Sequence, residues 1–207
     1  MATATVKPNS DGTGATLWTI VGGESTRFAS INHGTGTADD TEYIKNVFDE
    51  GSSSEAAFFG FEDMPSNFDT ATSVTAKVRQ LCYTNDDSAK YQLFESDGTT
   101  ALTNEVELEC DGTEIGHTHP HSFRTDSISL TITGATTKTA WDGLLMKITH
   151  VGSGDGDDPE LHISEIDLDL VYTATSIPSS DDSSDSSEST WRHVCFGGLE
   201  ILRERKR

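Results

Sequence analysis

Apolar and polar residues alternate along most of the chain up to residue 175, which is the period of a β-strand with one buried face. The longest example is SEIDLDLVY at 164–172, where large apolar residues at even positions alternate mostly with acidic residues. The same period occurs in ISLTI at 128–132 and in LLMKITHV at 144–151. We therefore predict a strand in each of these three segments.

A fourth segment, VTAKVRQLCY at 74–83, alternates as far as Val78 and then moves its apolar positions by one residue, to Leu81. One extra residue in a strand of an antiparallel pair produces this change of phase. The pattern predicts a β-bulge near Gln80.

Shorter segments with strand-like composition fill much of the remaining chain up to residue 110. They are 15–22, 41–48, 55–62, 90–96 and 104–110. Turn sequences rich in Gly and Asp, such as SDGTG and NDDS, separate them, and only TTKTAWDG at 136–143 favours a short helix. Many short strands joined by such turns predict an all-β fold, an antiparallel two-sheet β-sandwich of the jelly-roll type, over residues 1–175.

The composition changes after residue 175. Residues 176–190, SIPSSDDSSDSSEST, are rich in Ser and Asp and have almost nothing to bury, which predicts a flexible linker. Residues 191–207, WRHVCFGGLEILRERKR, combine large apolar residues with five basic and two acidic ones. We predict that they form an extended docking arm rather than a frayed terminus. The arm would bind by apolar anchors or by adding a strand to a sheet edge. The residues predicted to make contact are Trp191, Val194, Phe196, Leu199, Ile201, Leu202, Arg203 and Arg205.

The overall charge limits the partners. The chain has 35 acidic and 14 basic residues, a formal net charge of -21, so we expect it to bind neither bare nucleic acid nor an anionic membrane. No apolar run reaches the length of a membrane span, and the first residues do not resemble a signal peptide. The three cysteines are odd in number and widely spaced, which favours reduced thiols and folding in a cytoplasm.

Several stretches resemble a jelly-roll structural domain that recurs in tailed phages and prophages. They are TATVKPNSDGTGATLWTIVGG, ADDTEYIKN, HTHPHSFRTDSISLTIT and the run from TAWDGLLMKITHV to SEIDLDLVY, and together they span roughly residues 3–173. The resemblance implies a non-enzymatic jelly-roll virion structural protein. An acidic head on a flexible stalk makes a capsid decoration or spike protein, anchored to the particle by its C-terminal arm, the leading interpretation of the sequence. A tail or fibre component is the alternative. The resemblance also implies assembly in the host cytoplasm, the major capsid protein or other virion proteins as partners, and a homo-oligomer, with a trimer favoured.

Three histidines at alternate positions, His117, His119 and His121 in GHTHPHSF, would share one face of an extended strand. Such an array binds a transition metal if a symmetry axis brings copies together. Pro120 interrupts strand pairing, so the alternative is a loop that enters the next strand.

Two acidic loops are candidates for a structural calcium ion, and no other cofactor is predicted. One is GSGDGDDPE, with Asp155, Asp157, Asp158 and Glu160, and the other is TADDTE, with Asp39, Asp40 and Glu42. The first does not have the spacing of an EF-hand, because its sixth position is Glu160 and not Gly. The alternative for both is a hydrated turn.

The sequence contains no nucleophile elbow, HExxH motif or phosphate-binding loop, so we predict that the protein is not an enzyme. The alternative from another class is a carbohydrate-binding adhesin module for host attachment. That alternative predicts that aromatic residues such as Trp18, Tyr43, Phe59 or Trp141 are exposed together on a concave face, and their burial would overturn it.

Overall fold

The computed structural model describes residues 1–32, 39–47, 54–82, 88–109, 122–152 and 160–175. The chain divides into two units, Met1–Ser176 and Ile177–Arg207, and the described residues all belong to the first.

Strands make up most of the first unit. Within the described ranges they are β1 (Ala2–Val6), β2 (Pro8–Asp11), β3 (Thr19–Val21), β4 (Tyr43–Val47), β5 (Ser54–Phe61), β6 (Phe68–Cys82), β7 (Ser88–Phe94), β8 (Val106–Glu109), β9 (Arg124–Leu130), β10 (Leu145–Val151) and β11 (Glu160–Ala174). Two short helices accompany them, α1 (Arg27–Ser30) and α2 (Lys138–Trp141). The helix predicted at 136–143 is therefore present as α2, whereas the strand predicted at 15–22 is a 3-10 turn, Ala15–Leu17, followed by β3.

The strands form two antiparallel sheets. Sheet A has the order β3-β4-β11-β6-β9, and β1 also pairs with β11. Sheet B has the order β2-β5-β10-β7-β8. The prediction of an all-β, two-sheet antiparallel sandwich is confirmed.

Strand β11 is paired along most of both edges because it is long. β6 occupies one edge over almost its whole length. The other edge is shared, by β4 at Glu160–Ile163 and by β1 at Leu168–Tyr172. Between these two partners, the N–H of Ile166 donates to the carbonyl of Ile31 at 3.0 Å, just after α1, so the gap in the edge is closed.

The core lies between the inner faces of the sheets. Ile166, Leu168 and Leu170 of β11 face Phe59 and the other large side chains of sheet B, and all four are at most 1 % exposed. Trp18 packs edge-on against Phe59, with 6.5 Å between ring centroids. The inward positions of β11 are the apolar positions that the alternating pattern predicts for 164–172.

A bulge is present at Gln80, as predicted, but its extra residue is not on β6. β6 pairs with β9 without interruption from Val74 to Gln80, so Gln80 faces the core and Leu81 faces outward. The irregularity lies on the partner strand, where Ser164 is the extra residue between the pairs Ile163–Gln80 and Glu165–Arg79. Two further register shifts occur toward the other end of the same strand pair.

Gln80 is tolerated in the core because its amide is hydrogen-bonded there. The hydroxyl of Tyr91 donates to Oε1 of Gln80, and Nε2 of Gln80 donates to Oδ2 of Asp126 at 3.3 Å. Arg124 Nε donates to the same carboxylate oxygen at 2.9 Å. Burial raises the pKa of the Tyr91 phenol, so its hydroxyl remains a donor.

Four chain connections between the sheets start and finish at one end of the sandwich. β4, β6, β8 and β10 end there, and β5, β7, β9 and β11 begin there, as their pairing registers require. The connecting segments are 48–53, 83–87, 110–121 and 153–159. Connections that gather at one end in this way are typical of sandwiches with Greek-key topology.

The Tyr91–Gln80 hydrogen bond has a measurable consequence. Tyr91→Phe leaves a fully buried amide oxygen without its donor, and we expect a loss of about 1–3 kcal/mol in the free energy of unfolding. Tyr172→Phe is the matched control, because the Tyr172 hydroxyl donates to Asn67 at 3.1 Å in a partly buried position, and we expect its loss to be below about 1 kcal/mol. Urea titration of both variants is the measurement, and equal losses would contradict this account.

Candidate functional site

The outer face of sheet A carries the polar and aromatic side chains that are not used in the core. Along β6 this face presents Ser73, Thr75, Lys77, Arg79 and Leu81, which alternate with the buried residues. At about 3.3 Å per residue, this row is about 26 Å long. It passes from hydroxyl side chains at one end, through charged ones, to an apolar and aromatic end.

The hydroxyl end is a shallow groove between β1, β11 and β6. Its lining includes Thr3, Thr5, Ser73, Thr75, Asp169 and Val171. Hydroxyl groups both donate and accept hydrogen bonds, so this groove offers both kinds of partner to a polar ligand.

Asp169 holds the groove together. Its Oδ1 accepts a hydrogen bond from the Thr5 hydroxyl at 2.6 Å, and its Oδ2 lies 2.6 Å from Nζ of Lys77. Burial acts to raise the pKa of Asp169, but the hydrogen bonds from Lys77 and Thr5 prevail and lower it. The carboxylate therefore ties β1 to β6 across β11 and stays ionised.

Asp167 lies two residues before Asp169 on the same face, but its pKa is displaced in the opposite direction. It is 5 % exposed, and burial raises its pKa even though the Lys7 ammonium lies 3.4 Å from Oδ1. Two carboxyl groups on one strand thus have pKa values displaced in opposite directions, because one is buried and the other is hydrogen-bonded by a cation and a hydroxyl.

The middle of the face is fixed by Arg79 and Asp40. Arg79 donates from Nε to Oδ1 of Asp40 at 2.7 Å and from Nη2 to Oδ2 at 2.6 Å, which is a bidentate pair. The guanidinium carbon also lies 5.9 Å from the centre of the Phe123 ring. These hydrogen bonds lower the pKa of Asp40. Asp40, a candidate calcium ligand in the sequence, is therefore engaged by a cation of the protein itself.

Aromatic rings from three segments form a band at the far end of the face. Tyr43 of β4 stacks on His162 of β11, with 4.6 Å between ring centroids and 18° between planes, and Phe123 lies 5.6 Å from Tyr43. His162 is on the outer face, but it is 3 % exposed because these rings cover it. Tyr43 and Phe123 are half-buried.

Glu160 anchors this aromatic band. Its Oε2 lies 2.8 Å from Nε2 of His162, and its Oε1 lies 3.2 Å from Nζ of Lys45. Burial acts to raise the pKa of Glu160, but the hydrogen bonds from His162 and Lys45 lower it. Both carboxylate oxygens are therefore engaged within the face.

The band does not follow from the sequence as a whole. The available signal was the phase of LHI at 161–163, which places His162 opposite to the two buried aliphatic residues.

The aromatic residues expected to be exposed together in an adhesin are mostly in the core. Trp18, Phe59 and Trp141 are 0 % exposed, and Tyr43 alone is on an outer face. That set forms no platform, because the large rings fill the space between the sheets. The outer face of sheet A instead combines Tyr43 with Phe123, which the sequence did not single out.

The other predicted site residues lie outside the described residues. They are His117, His119, His121, Asp155 and Asp157 for metals, and the arm residues Trp191, Val194, Phe196, Leu199, Ile201, Leu202, Arg203 and Arg205. Their roles stay predictions. Within the described ranges, no three His, Cys, Asp or Glu side chains are grouped to hold a metal ion. No helix in that part of the chain is long and apolar enough to cross a membrane.

No protein family matches the chain, and no curated protein matches it. Among solved structures, it is similar to the enzymatically active domain of tailspike protein 4 of bacteriophage CBA120, with 12% identity and a TM-score of 0.42 over 80% of this chain and 21% of that one. A structure titled "CBM4 structure and function" has 13% identity and a TM-score of 0.40, over 76% of this chain and 97% of that one.

The K3 cleaved adhesin domain of Lys-gingipain from Porphyromonas gingivalis has 12% identity and a TM-score of 0.37, over 81% of this chain and 98% of that one. The chain thus spans about a fifth of the tailspike chain and nearly all of the other two. At these identities none of the three assigns the chain to a family.

The Arg79–Asp40 pair predicts a titration effect. Because Arg79 holds the pKa of Asp40 below its ordinary value of 3.8, the pair's stabilisation is complete above that pH and is lost as the pH falls through the lower folded pKa. The Asp40 side chain is 43% exposed, so water screens the pair and the pKa is a more sensitive readout than stability. We expect Arg79→Gln to raise the pKa of Asp40 and Arg79→Lys to raise it less, measured by NMR titration of the carboxyl carbon.

Asp97 is the internal control for this titration. Backbone and hydroxyl hydrogen bonds from Thr100 and Thr99 lower its pKa, without a cation, so the Arg79 variants should leave it unchanged. An unaltered Asp40 titration in Arg79→Gln would show that the guanidinium is not the cause.

Proposed function

We propose that this protein is a non-catalytic attachment module of a virion tail or fibre, and that the outer face of sheet A binds a surface carbohydrate of the host. The observation that carries the proposal is the continuity of this face, where a hydroxyl-lined groove, a row of fixed charges and an aromatic band follow one another along β6. Attachment proteins need such a surface, whereas capsid decoration, the leading interpretation of the sequence, does not require one.

The chemistry of the face suits a polymer of sugars. Sugar hydroxyls need both donors and acceptors, which Thr3, Thr5 and Thr75 supply in the groove. The apolar faces of sugar rings pack on aromatic side chains, which Tyr43 and Phe123 supply at the other end. A row about 26 Å long favours an extended oligosaccharide over a single small molecule.

Three carboxylates of the face are held in place by the protein itself. Both oxygens of Asp40, Glu160 and Asp169 are engaged by a cation, an imidazole or a hydroxyl group. Such carboxylates position the surrounding side chains and fix the charge of the surface, so we assign these three to positioning the binding face.

The placement in a virion rests on the resemblance of residues 3–173 to phage structural domains and on the composition of the C-terminal arm. We propose that residues 191–207 attach the module to other virion proteins or to an equivalent copy of this chain, and that several copies act together, with a trimer favoured. A transition metal at His117, His119 and His121, or a calcium ion at Asp155 and Asp157, would be a structural addition to this assembly.

The binding face is tested by blocking its groove. Thr75→Trp places a large ring among the groove hydroxyls, and Tyr43→Ala removes part of the aromatic band. We expect each to weaken retention on an array of bacterial surface polysaccharides about ten-fold or more. The matched controls are Lys147→Trp and Phe58→Ala on the outer face of sheet B, which should bind as the unaltered protein does. Equal losses on both faces, or no retention of the unaltered protein, would overturn the proposal.

The attachment arm is tested by deletion. Because the core lies within residues 1–175, a chain lacking 176–207 should unfold at the temperature of the full chain, as measured by circular dichroism. The same deletion should abolish its incorporation into virions, as measured by immunoblotting of purified particles. Deleting 178–189 alone, which shortens the linker and keeps the arm, should preserve incorporation. A truncated chain that still enters particles would contradict the role of the arm.

A further inference from the structure

Strand β8 forms one edge of sheet B. Residues Val106–Glu109 pair with β7 through Tyr91–Ser88, and no strand in the described part of the chain pairs with the other side of β8. The backbone N–H and C=O groups on that side are a template for one more strand. Edge strands of β-sheets often carry charged side chains that prevent unwanted pairing, and β8 carries such side chains at regular positions.

Acidic side chains occupy alternate positions along this edge. Val106 and Leu108 pack against the core, so Glu105 and Glu107 face outward, and Glu109 follows at the same spacing in the sequence. The Glu105 and Glu107 side chains are 41% and 47% exposed. Lys90 lies between them, 3.8 Å from one carboxylate and 3.6 Å from the other. One cation therefore faces a row of carboxylates, and the outer face of this edge is negative.

The C-terminal arm carries the complementary pattern. In LEILRERKR at 199–207, Arg203, Arg205 and Arg207 occupy alternate positions. In an extended strand these three side chains lie on one face, at the same spacing as the glutamates of β8.

We propose that β8 accepts residues 203–207 of a second copy of this chain as an additional antiparallel strand of sheet B. In one register, Arg203 lies opposite Glu109, Arg205 opposite Glu107 and Arg207 opposite Glu105. Cross-strand pairs of opposite charge stabilise and align neighbouring strands. The alternate residues Glu204 and Lys206 then lie at the rim of the core, where their long stems reach water.

The choice of a second copy rests on the proposed attachment function, which depends on several copies acting together. An arm that leaves one body and pairs with the edge of the next is a head-to-tail interface, and such an interface closes into a ring when the rotation between copies allows it. A three-membered ring is the simplest assembly that agrees with the favoured trimer.

Charge reversal in the full chain tests this pairing. One variant changes Arg203, Arg205 and Arg207 to Glu, and a second changes Glu105, Glu107 and Glu109 to Arg. Each should weaken self-association at least about ten-fold, measured by sedimentation velocity over a range of concentrations. The combined variant restores every opposite-charge pair and should return to within a few-fold of the unaltered chain. Glu24→Arg with Asp63→Arg, at exposed positions away from β8, is the control that should not change association.

The register is tested by a disulfide. Glu107→Cys and Arg205→Cys together place two thiols at directly opposed positions, whose Cα separation in an antiparallel pair suits a disulfide. The native cysteines Cys82, Cys110 and Cys195 are first changed to Ser. In that background, the Glu107→Cys, Arg205→Cys variant should link separate chains through disulfides on a non-reducing gel. The control variant Glu107→Cys, Lys206→Cys should stay monomeric on the same gel.

The outcomes separate this inference from the proposed function, because association is measured without any glycan. A chain that binds polysaccharide but is monomeric at all concentrations, or whose cysteines join within one chain, overturns the pairing and leaves the attachment proposal standing. A chain that assembles through the charge-matched strands but binds no polysaccharide supports the pairing and overturns the attachment proposal.

Discussion

The two-sided pairing of β11 is the constraint on which the rest of sheet A depends. This strand of 15 residues is the common partner of β6, β4 and β1, so the positions of all three follow from its register. Its inner side chains, such as Leu168 and Leu170, fill the core, and its outer side chains, such as His162 and Asp169, build the candidate site. Core and binding surface are therefore two faces of one strand, and a slip of one residue would exchange them.

The bulge at Ser164 allows β11 to supply side chains to both the core and the candidate binding surface. The apolar positions of β11 change phase between Ile163 and Ile166, and the extra residue lets both halves of the strand point their aliphatic side chains inward. The same change of phase is visible in the sequence, but the apolar pattern of residues 74–83 predicts the extra residue on β6 instead, with Leu81 in the core. Gln80 occupies that inward position instead, because Tyr91 and Asp126 satisfy its amide. A partner 11 or 46 residues away cannot be found from local periodicity.

Part of the candidate site follows from the alternation of residues within single strands, and part depends on contacts between strands. Alternation predicted which residues of 164–172 face outward, and with them Asp167 and Asp169. It did not predict β1, whose sequence ATATV is short and weakly apolar, although β1 forms one wall of the groove. The aromatic band joins Tyr43, Phe123 and His162, and the Arg79–Asp40 pair joins residues 39 positions apart. These contacts depend on strand order in the sheet, which a single sequence does not specify.

The outer face of sheet A and the edge strand β8 differ in how their charged side chains are paired. The chain has a large excess of acid, yet on the outer face of sheet A the carboxylates of Asp40, Glu160 and Asp169 are each matched by a cation of the same body. Pairing of these three carboxylates with cations reduces the repulsion between this face and an anionic cell surface. On β8, Lys90 alone faces two described glutamates, so that edge keeps its negative charge. A surface that is balanced internally is suited to an external ligand, whereas an unbalanced edge is suited to the oppositely charged arm of another copy.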